Sequence, residues 1–293
     1  MLRGVYRPTP RLAPFVGSIW VYRSDQPEQV CLLPSGTAQL VIDLSGDGLP
    51  RPGPHPGSAG DSGPLSATPS RDAYAALLYG VDSAPLSLDN DRPVYEFGVD
   101  FLPGGLYPFF APPASELHDL QLSLDAVWST QVVRELRERV AEADTLEEQA
   151  GILEEVLVRQ LVRPLAHHPA VTAALRALSV PRMPSAPEAP MARIAWVAEE
   201  AGLSRGHFTR LFQQEVGLTP KHYARVRRFL RVVQRLGSVG SVGSERRIHW
   251  ARLALECGYY DQAHLINEFR AFSGVCPSAY LRARRVAPPS TRE

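Results

Sequence analysis

The chain has 293 residues, 44% of them hydrophobic, which is enough for two domains with separate cores. It has no apolar run near the roughly 18 residues of a membrane span and no signal-peptide core in its first residues, MLRGVYRPTP. Its three cysteines, Cys31, Cys257 and Cys276, have neither metal-ligand nor disulfide-framework spacing, so a reducing cytoplasm is the expected compartment. The zero net charge hides a division: residues 1–165 carry 12 Arg against 22 Asp and Glu, a balance of −10, and residues 166–293 carry 19 Arg and Lys against 9 Asp and Glu, a balance of +10. A basic half of this kind points to a polyanionic partner.

The first half reads as strands and then helices. GSIWVY (17–22), TAQLVID (37–43), YAALLYG (74–80) and YEFGVDF (95–101) are strand candidates. In the second, Ala38, Leu40 and Ile42 share one face. In the last, Tyr95, Phe97, Val99 and Phe101 stand opposite Glu96, Gly98 and Asp100. Such alternation marks half-buried strands. PSGT (34–37) and LPGGLYPFF (102–110) are turns, and the Pro-, Gly- and Ser-rich stretch from Leu49 to Ser70 is a long loop. Cys31, just ahead of a strand, is expected in the core.

Strands are expected to about residue 110 and helices over about 125–163. DAVWSTQVVRELRERVAEA is one helix. TLEEQAGILEEVLVRQLV is a second, opened by a capping box of Thr145 and Glu148. The domain boundary is placed near 165, between a 1–165 unit and a 166–293 unit. The second unit opens with the helix HPAVTAALRALS, and RMPSAPEAP (182–190) is a linker or a loop between helices.

The C-terminal half contains a repeat. His207, Phe208, Phe212, Gly217, Pro220 and Tyr223 recur as His264, Leu265, Phe269, Gly274, Pro277 and Tyr280, each 57 residues later. Ahead of each copy stands a short helix closed by Gly202 or Gly258, and Ser204 or Asp261 then caps the next helix. The pattern is helix-turn-helix written twice, over about 192–216 and 248–273. PKHYARVRRFLRVVQRL joins them as one connecting helix, about 220–236, followed by the spacer GSVGSVGSERR. Two tied units can enter successive major grooves on one face of B-DNA, ~34 Å apart.

In the first unit Arg205, Gly206, Thr209, Arg210 and Gln213 lie away from the Phe208–Phe212 face. Arg210 suits bidentate contact with guanine, and Gln213 suits a base or a phosphate. In the second unit Gln262, Ala263, Ile266, Asn267 and Arg270 lie outward. Gln262 and Asn267 match adenine, and Ala263 or Ile266 a thymine methyl. Lys221, with Arg225, Arg227, Arg228, Arg231 and Arg235, rings the connecting helix, where some reach phosphate and others are solvated or paired. The equivalent His207 and His264 are read as structural rather than as metal ligands. Trp196 and Trp250 are read as core.

IAWVAEEAGLSRGHFTRLFQQEVGLTPKHYARVRRFLRV and ARLALECGYYDQAHLINEFRAFSGVCPSAYL make the region 168–285 resemble the DNA-binding domain of AraC/XylS-type transcriptional regulators. LPSGTAQLVI and VDFLPGGLYPFF resemble, more weakly, the sensor domain of one branch of that family. The resemblance implies a cupin-like N-terminal domain, base readers at the positions of Gly206, Thr209 and Arg210, and RNA polymerase as a partner. Two departures stand out: Gly206 has no side chain, and Asn267 stands where the family often has Arg.

The expected fold class is therefore α+β, a β-rich domain with trailing helices followed by an all-α domain. The expected function is sequence-specific binding of double-stranded DNA under control of a small-molecule effector, in a cytoplasmic protein that binds no membrane and is able to form a homodimer. Trp20, Tyr22, Tyr95, Phe97 and Phe101 are the candidate effector pocket, although each also suits a core. The alternatives are an N-terminal domain that only dimerises or binds a protein, and an enzyme fused to a DNA-targeting module. No HExxH, GxSxG or CxxC occurs, so neither catalysis nor a metal or other cofactor is expected.

Overall fold

A computed structural model describes residues 2–26, 28–46, 48–49, 75–90, 93–179, 190–239 and 248–286. A six-stranded antiparallel sheet leads the chain, in the order β1 (Leu2–Tyr6), β2 (Val16–Ser24), β7 (Val94–Phe101), β4 (Gln39–Asp43), β5 (Ala76–Tyr79), β8 (Gln121–Ser123). β3 (Glu28–Leu32) and β6 (Leu86–Asn90) pair as a separate two-stranded sheet. Register is set across the middle by Ile19 and Leu40, both opposite Val99 on β7, and by Leu40 opposite Leu78.

Both faces of the larger sheet are covered. Ile19, Leu40, Ile42, Leu78, Phe97, Val99 and Phe101 join the main core with the helices. Trp20, Tyr22, Val41, Leu77 and Tyr79 form a second core with Leu86 and Leu88 of β6. The half-buried reading of the strands is thus corrected. Val41 and the supposedly outward Glu96 and Gly98 are buried as well, because the β3–β6 pair closes the face that alternation assigns to solvent. Asp100, on that face, accepts hydrogen bonds from Ser18 Oγ, Trp20 Nε1 and Gln39 Nε2 at 2.8, 3.1 and 2.7 Å, so its charge is matched there.

Strand structure does not end near 110, since β8 follows at 121–123. The helix expected from 125 begins instead at Thr130 (α1, Thr130–Glu142), where Ser129 accepts from Val132 N–H; Leu124–Ala126 forms a 3₁₀ turn first. α2 (Leu146–Arg159) opens with the Thr145–Glu148 capping box, both hydrogen bonds being present, and stops at Arg159 rather than 162. Cys31 is exposed on β3 rather than in the core. The Leu49–Ser70 loop beyond Leu49, the linker ahead of Pro190 and the 240–247 spacer lie outside the described residues.

The C-terminal half is helical: α3 (Pro169–Ser179), α4 (Pro190–Glu200), α5 (Arg205–Val216), α6 (Pro220–Val239), α7 (Trp250–Cys257), α8 (Gln262–Ser273) and α9 (Pro277–Val286). One apolar cluster runs from the sheet through Phe208, Phe212, Tyr223 and Phe229 to Phe269 and Phe272. Three contacts join the halves. The His167 ring, its Nδ1 2.8 Å from the buried Glu215 of α5 whose carboxylate also accepts from His168 N–H, packs on Phe15 of the first half. Gly217, in the left-handed region, lies so close to the first half that a Cβ would fall 2.8 Å from Val81 Cγ2 and 3.1 Å from the Ala114 carbonyl. Gly36, in the PSGT turn, similarly faces Val226 of α6. Asp82 holds that turn by accepting from Ser35 N–H, Ser35 Oγ and Gly36 N–H.

Candidate nucleic-acid interface

The two helix-turn-helix units are built by the same local chemistry. Ser204 accepts from His207 N–H at 3.3 Å to start α5, and Asp261 accepts from His264 N–H at 2.7 Å to start α8. In each case a side-chain oxygen satisfies a backbone donor that a helix N-terminus leaves orphaned. Gly217 and Gly274 end the two helices at φ of 91° and 75°, which costs glycine little. The repeated histidines thus mark the third position of each capped helix. His264 adds a contact of its own, Nδ1 accepting from Tyr260 N–H at 3.4 Å with its ring edge-on to Tyr259. Among the described residues no group of three or more His, Cys, Asp or Glu side chains is placed to hold a metal ion, and no helix is long and apolar enough to cross a membrane.

On α5, Phe208, Phe212 and Val216 are buried, while Arg205, Gly206 and Arg210 are exposed. Thr209 and Gln213 are half-buried, and Thr209 Oγ1 donates back to the Arg205 carbonyl at 2.8 Å. Among the described residues Arg210 makes no ion pair and is free to reach outward. A Cβ at Gly206 would meet nothing within 4 Å, so the surface has room there for a side chain the sequence does not supply.

On α8, Gln262, Ala263, Asn267 and Arg270 are exposed in line. Ile266 is half-buried and packs on the core, so it is less outward than expected. Tyr260, in the turn before α8, is 86% exposed beside these residues, and sequence reasoning missed it. The signal was present as a second Tyr in a helix-turn-helix turn, where the first unit has Leu203.

On the connecting helix α6, Arg225 and Arg228 are among the arginines that are paired. Arg225 Nε and the Arg228 guanidinium converge on the Glu268 carboxylate of α8 at 2.7–2.9 Å. Arg228 also lies over the Tyr259 ring, 4.7 Å from its centroid. These two arginines therefore clamp the second unit to α6 rather than standing free for phosphate. Arg231 donates to the Leu178 carbonyl and ties α6 to α3. Lys221 remains exposed at the start of α6. Trp196, expected in the core, is 60% exposed on α4, because Ile194, Val197 and Ala198 take the buried face. Trp250 is half-buried against the core.

The expected effector residues are not brought together. Trp20 and Tyr22 face the second core, with the indole over Gly98, where a Cβ would fall 2.5 Å from Trp20 Cζ2. Phe97 and Phe101 lie on the opposite face of the sheet in the main core. Tyr95 shares their strand face and is half-buried near Arg23.

Comparison with known proteins adds the following. Residues 197–283 match the family model of a helix-turn-helix domain, and residues 4–123 match that of a domain of unknown function. An uncharacterized HTH-type transcriptional regulator of Haemophilus influenzae is 34% identical over 90 residues, 31% of this chain and 28% of that protein. The match thus spans less than a third of that relative's length. Among solved structures, the DNA-binding domain of AdpA in complex with a target DNA is 24% identical, covering 41% of this chain and 94% of that one at a TM-score of 0.30. ToxT from Vibrio cholerae O395, bound to (E)-4-(8-methylnaphthalen-1-yl)but-3-enoic acid, is 11% identical, covering 89% and 97% of the two chains at a TM-score of 0.42.

Proposed function

We propose that the protein is a sequence-specific, double-stranded-DNA-binding transcriptional regulator of the AraC type, a reading supported by the match of residues 197–283 to a helix-turn-helix domain family. The observation that carries the proposal is the pair of capped units, each presenting a row of exposed polar side chains, hung on one unbroken helix. α6 has 20 residues, about 30 Å at ~1.5 Å per residue. That length suits two recognition helices about one turn of B-DNA, ~34 Å, apart. Arg210 is assigned to guanine and Gln262 and Asn267 to adenine, with Arg205, Gln213, Lys221 and Arg270 at phosphates. Ala263 supplies apolar contact, and Gly206 and Thr209 allow close approach.

The first half is assigned the controlling role. It packs against the far end of α5, at Gly217, and leaves Arg205 and Arg210 exposed. A small molecule that binds one arrangement of these halves better than another shifts the population able to engage both boxes. Trp20 and Tyr22, on the inner face of the sheet, are the residues retained for such a ligand. A homodimer and contact with RNA polymerase belong to the same reading, and no catalytic step is assigned.

The test is to incubate the full-length protein with sheared DNA from its own genome and sequence what it retains. Enrichment of a site with two short boxes supports the proposal. If duplexes sharing no motif bind as tightly as any selected site, sequence-specific reading is wrong.

A further inference from the structure

A cavity of about 440 Å³ lies inside the first helix-turn-helix unit, between α4 and the starts of α5 and α6. Its size is within the range of small-molecule sites, ~300–1,000 Å³. Ile194, Ala198, Phe208 and Pro220 make an apolar, buried floor, and the rim carries Arg205 and Lys221. Among the described residues no carboxylate lines it. Both rim cations are exposed, and among the described residues neither makes an ion pair or hydrogen bond through its side chain. Arg205 is the first residue of α5 and Lys221 the second of α6. The positive ends of two helix dipoles therefore reinforce the two side-chain charges at the cavity mouth.

An apolar chamber with an unneutralised cationic mouth is complementary to one class of ligand. We propose that this cavity binds an amphipathic organic anion, its apolar body on the Ile194–Phe208 floor and its carboxylate between Arg205 and Lys221, and that the bound anion excludes DNA from the first unit. The exclusion rests on the DNA-binding reading above, since Arg205 and Lys221 are also assigned to phosphate. The site itself does not. Inorganic phosphate would satisfy the mouth and leave the apolar floor wet; an uncharged amphiphile would fill the floor and leave both cations without a counter-charge.

The test is isothermal titration of the full-length protein, without DNA, with decanoate, decanol and inorganic phosphate at matched ionic strength. Decanoate is expected to bind once and saturably, and decanol at least about tenfold more weakly, the loss of one charge-assisted contact. Phosphate alone is expected to give no saturable heat. Ala195→Leu, which fills the cavity from a half-buried position on α4, is expected to abolish decanoate binding. Lys221→Gln, at an exposed position, is expected to weaken it roughly tenfold without lowering the melting temperature. If both variants bind decanoate as the parent does, or if decanol equals decanoate, the site is wrong. A second arm adds decanoate to the protein bound to a fluorescent duplex: release of the duplex supports exclusion, and simultaneous binding of both overturns it. If no duplex is selected at all, the functional reading fails while the calorimetric arm still decides the cavity.

Discussion

Glu268→Ala tests how the second recognition helix is held. Glu268 is 7% exposed and accepts from Arg225 Nε and from both Nε and Nη2 of Arg228, within 2.9 Å. Deleting one partner of a fully buried ion pair costs about 3–5 kcal/mol, because the remaining charge is stranded. Here the stranded groups are partly wet: the Arg228 side chain is 21% exposed and that of Arg225 is 41% exposed. Water screens much of the loss, and about 2 kcal/mol is expected after that discount. Arg228→Ala is expected to cost less than Glu268→Ala, and the double variant no more than Glu268→Ala alone, since the pair is one unit. The assay is urea denaturation followed by circular dichroism. Anisotropy on duplexes whose second box is displaced by zero, one and two base pairs measures the functional effect. The single variant is expected to lose affinity for the optimal spacing and to discriminate less among spacings. Unchanged stability together with an undiminished spacing preference would refute it.

Arg210→Ala is expected to weaken binding to a selected site by about 1–3 kcal/mol and to relax preference at one base pair; an equal loss on every sequence in the anisotropy assay would make Arg210 a phosphate contact instead. Gly217→Ala and Gly274→Ala share a left-handed backbone cost of about 1–2 kcal/mol, but only the first meets Val81 and Ala114. Gly217→Ala should therefore lower the melting temperature further, and equal effects would mean the interdomain contact contributes nothing. Partial removal from water pushes the Asp82 carboxyl up to about 6 from 3.8. A carboxyl raised on folding stabilises most fully below its unfolded value, and that stability is lost as pH rises through about 6. Between pH 4 and pH 7 the parent should lose about 1–3 kcal/mol relative to Asp82→Asn, and parallel curves in pH-dependent denaturation would show the carboxyl to be unperturbed.

The parts legible in the sequence were those whose cause is local. Ser204, Asp261 and the glycines 57 residues apart announce two capped helices, because a cap is chosen within four residues of what it satisfies. Thr145 and Glu148 do the same for α2. Alternation marks β4 and β7, but it does not show that Glu96 is buried, since the covering β3–β6 pair joins residues about 60 apart. The Arg225–Arg228–Glu268 clamp links residues 40 and 43 apart, and no periodicity separates an arginine bound for phosphate from one bound for a neighbouring helix. Hydrophobicity alone puts Trp196 in the core, whereas the 3.6-residue phase set by Ile194, Val197 and Ala198 turns it outward. The glycine contacts between halves, at Gly36 and Gly217, have no local signature beyond a turn and a helix end.

The central claim is that two helix-turn-helix units on one rigid helix read two DNA boxes. Hydroxyl-radical footprinting of the full-length protein on a duplex recovered by genomic selection tests it most directly. The account expects two protected segments on one face of the duplex, centred about 10 base pairs apart, with Arg210→Ala weakening protection of one and Asn267→Ala that of the other. A single protected segment, or two that both variants weaken equally, would contradict it.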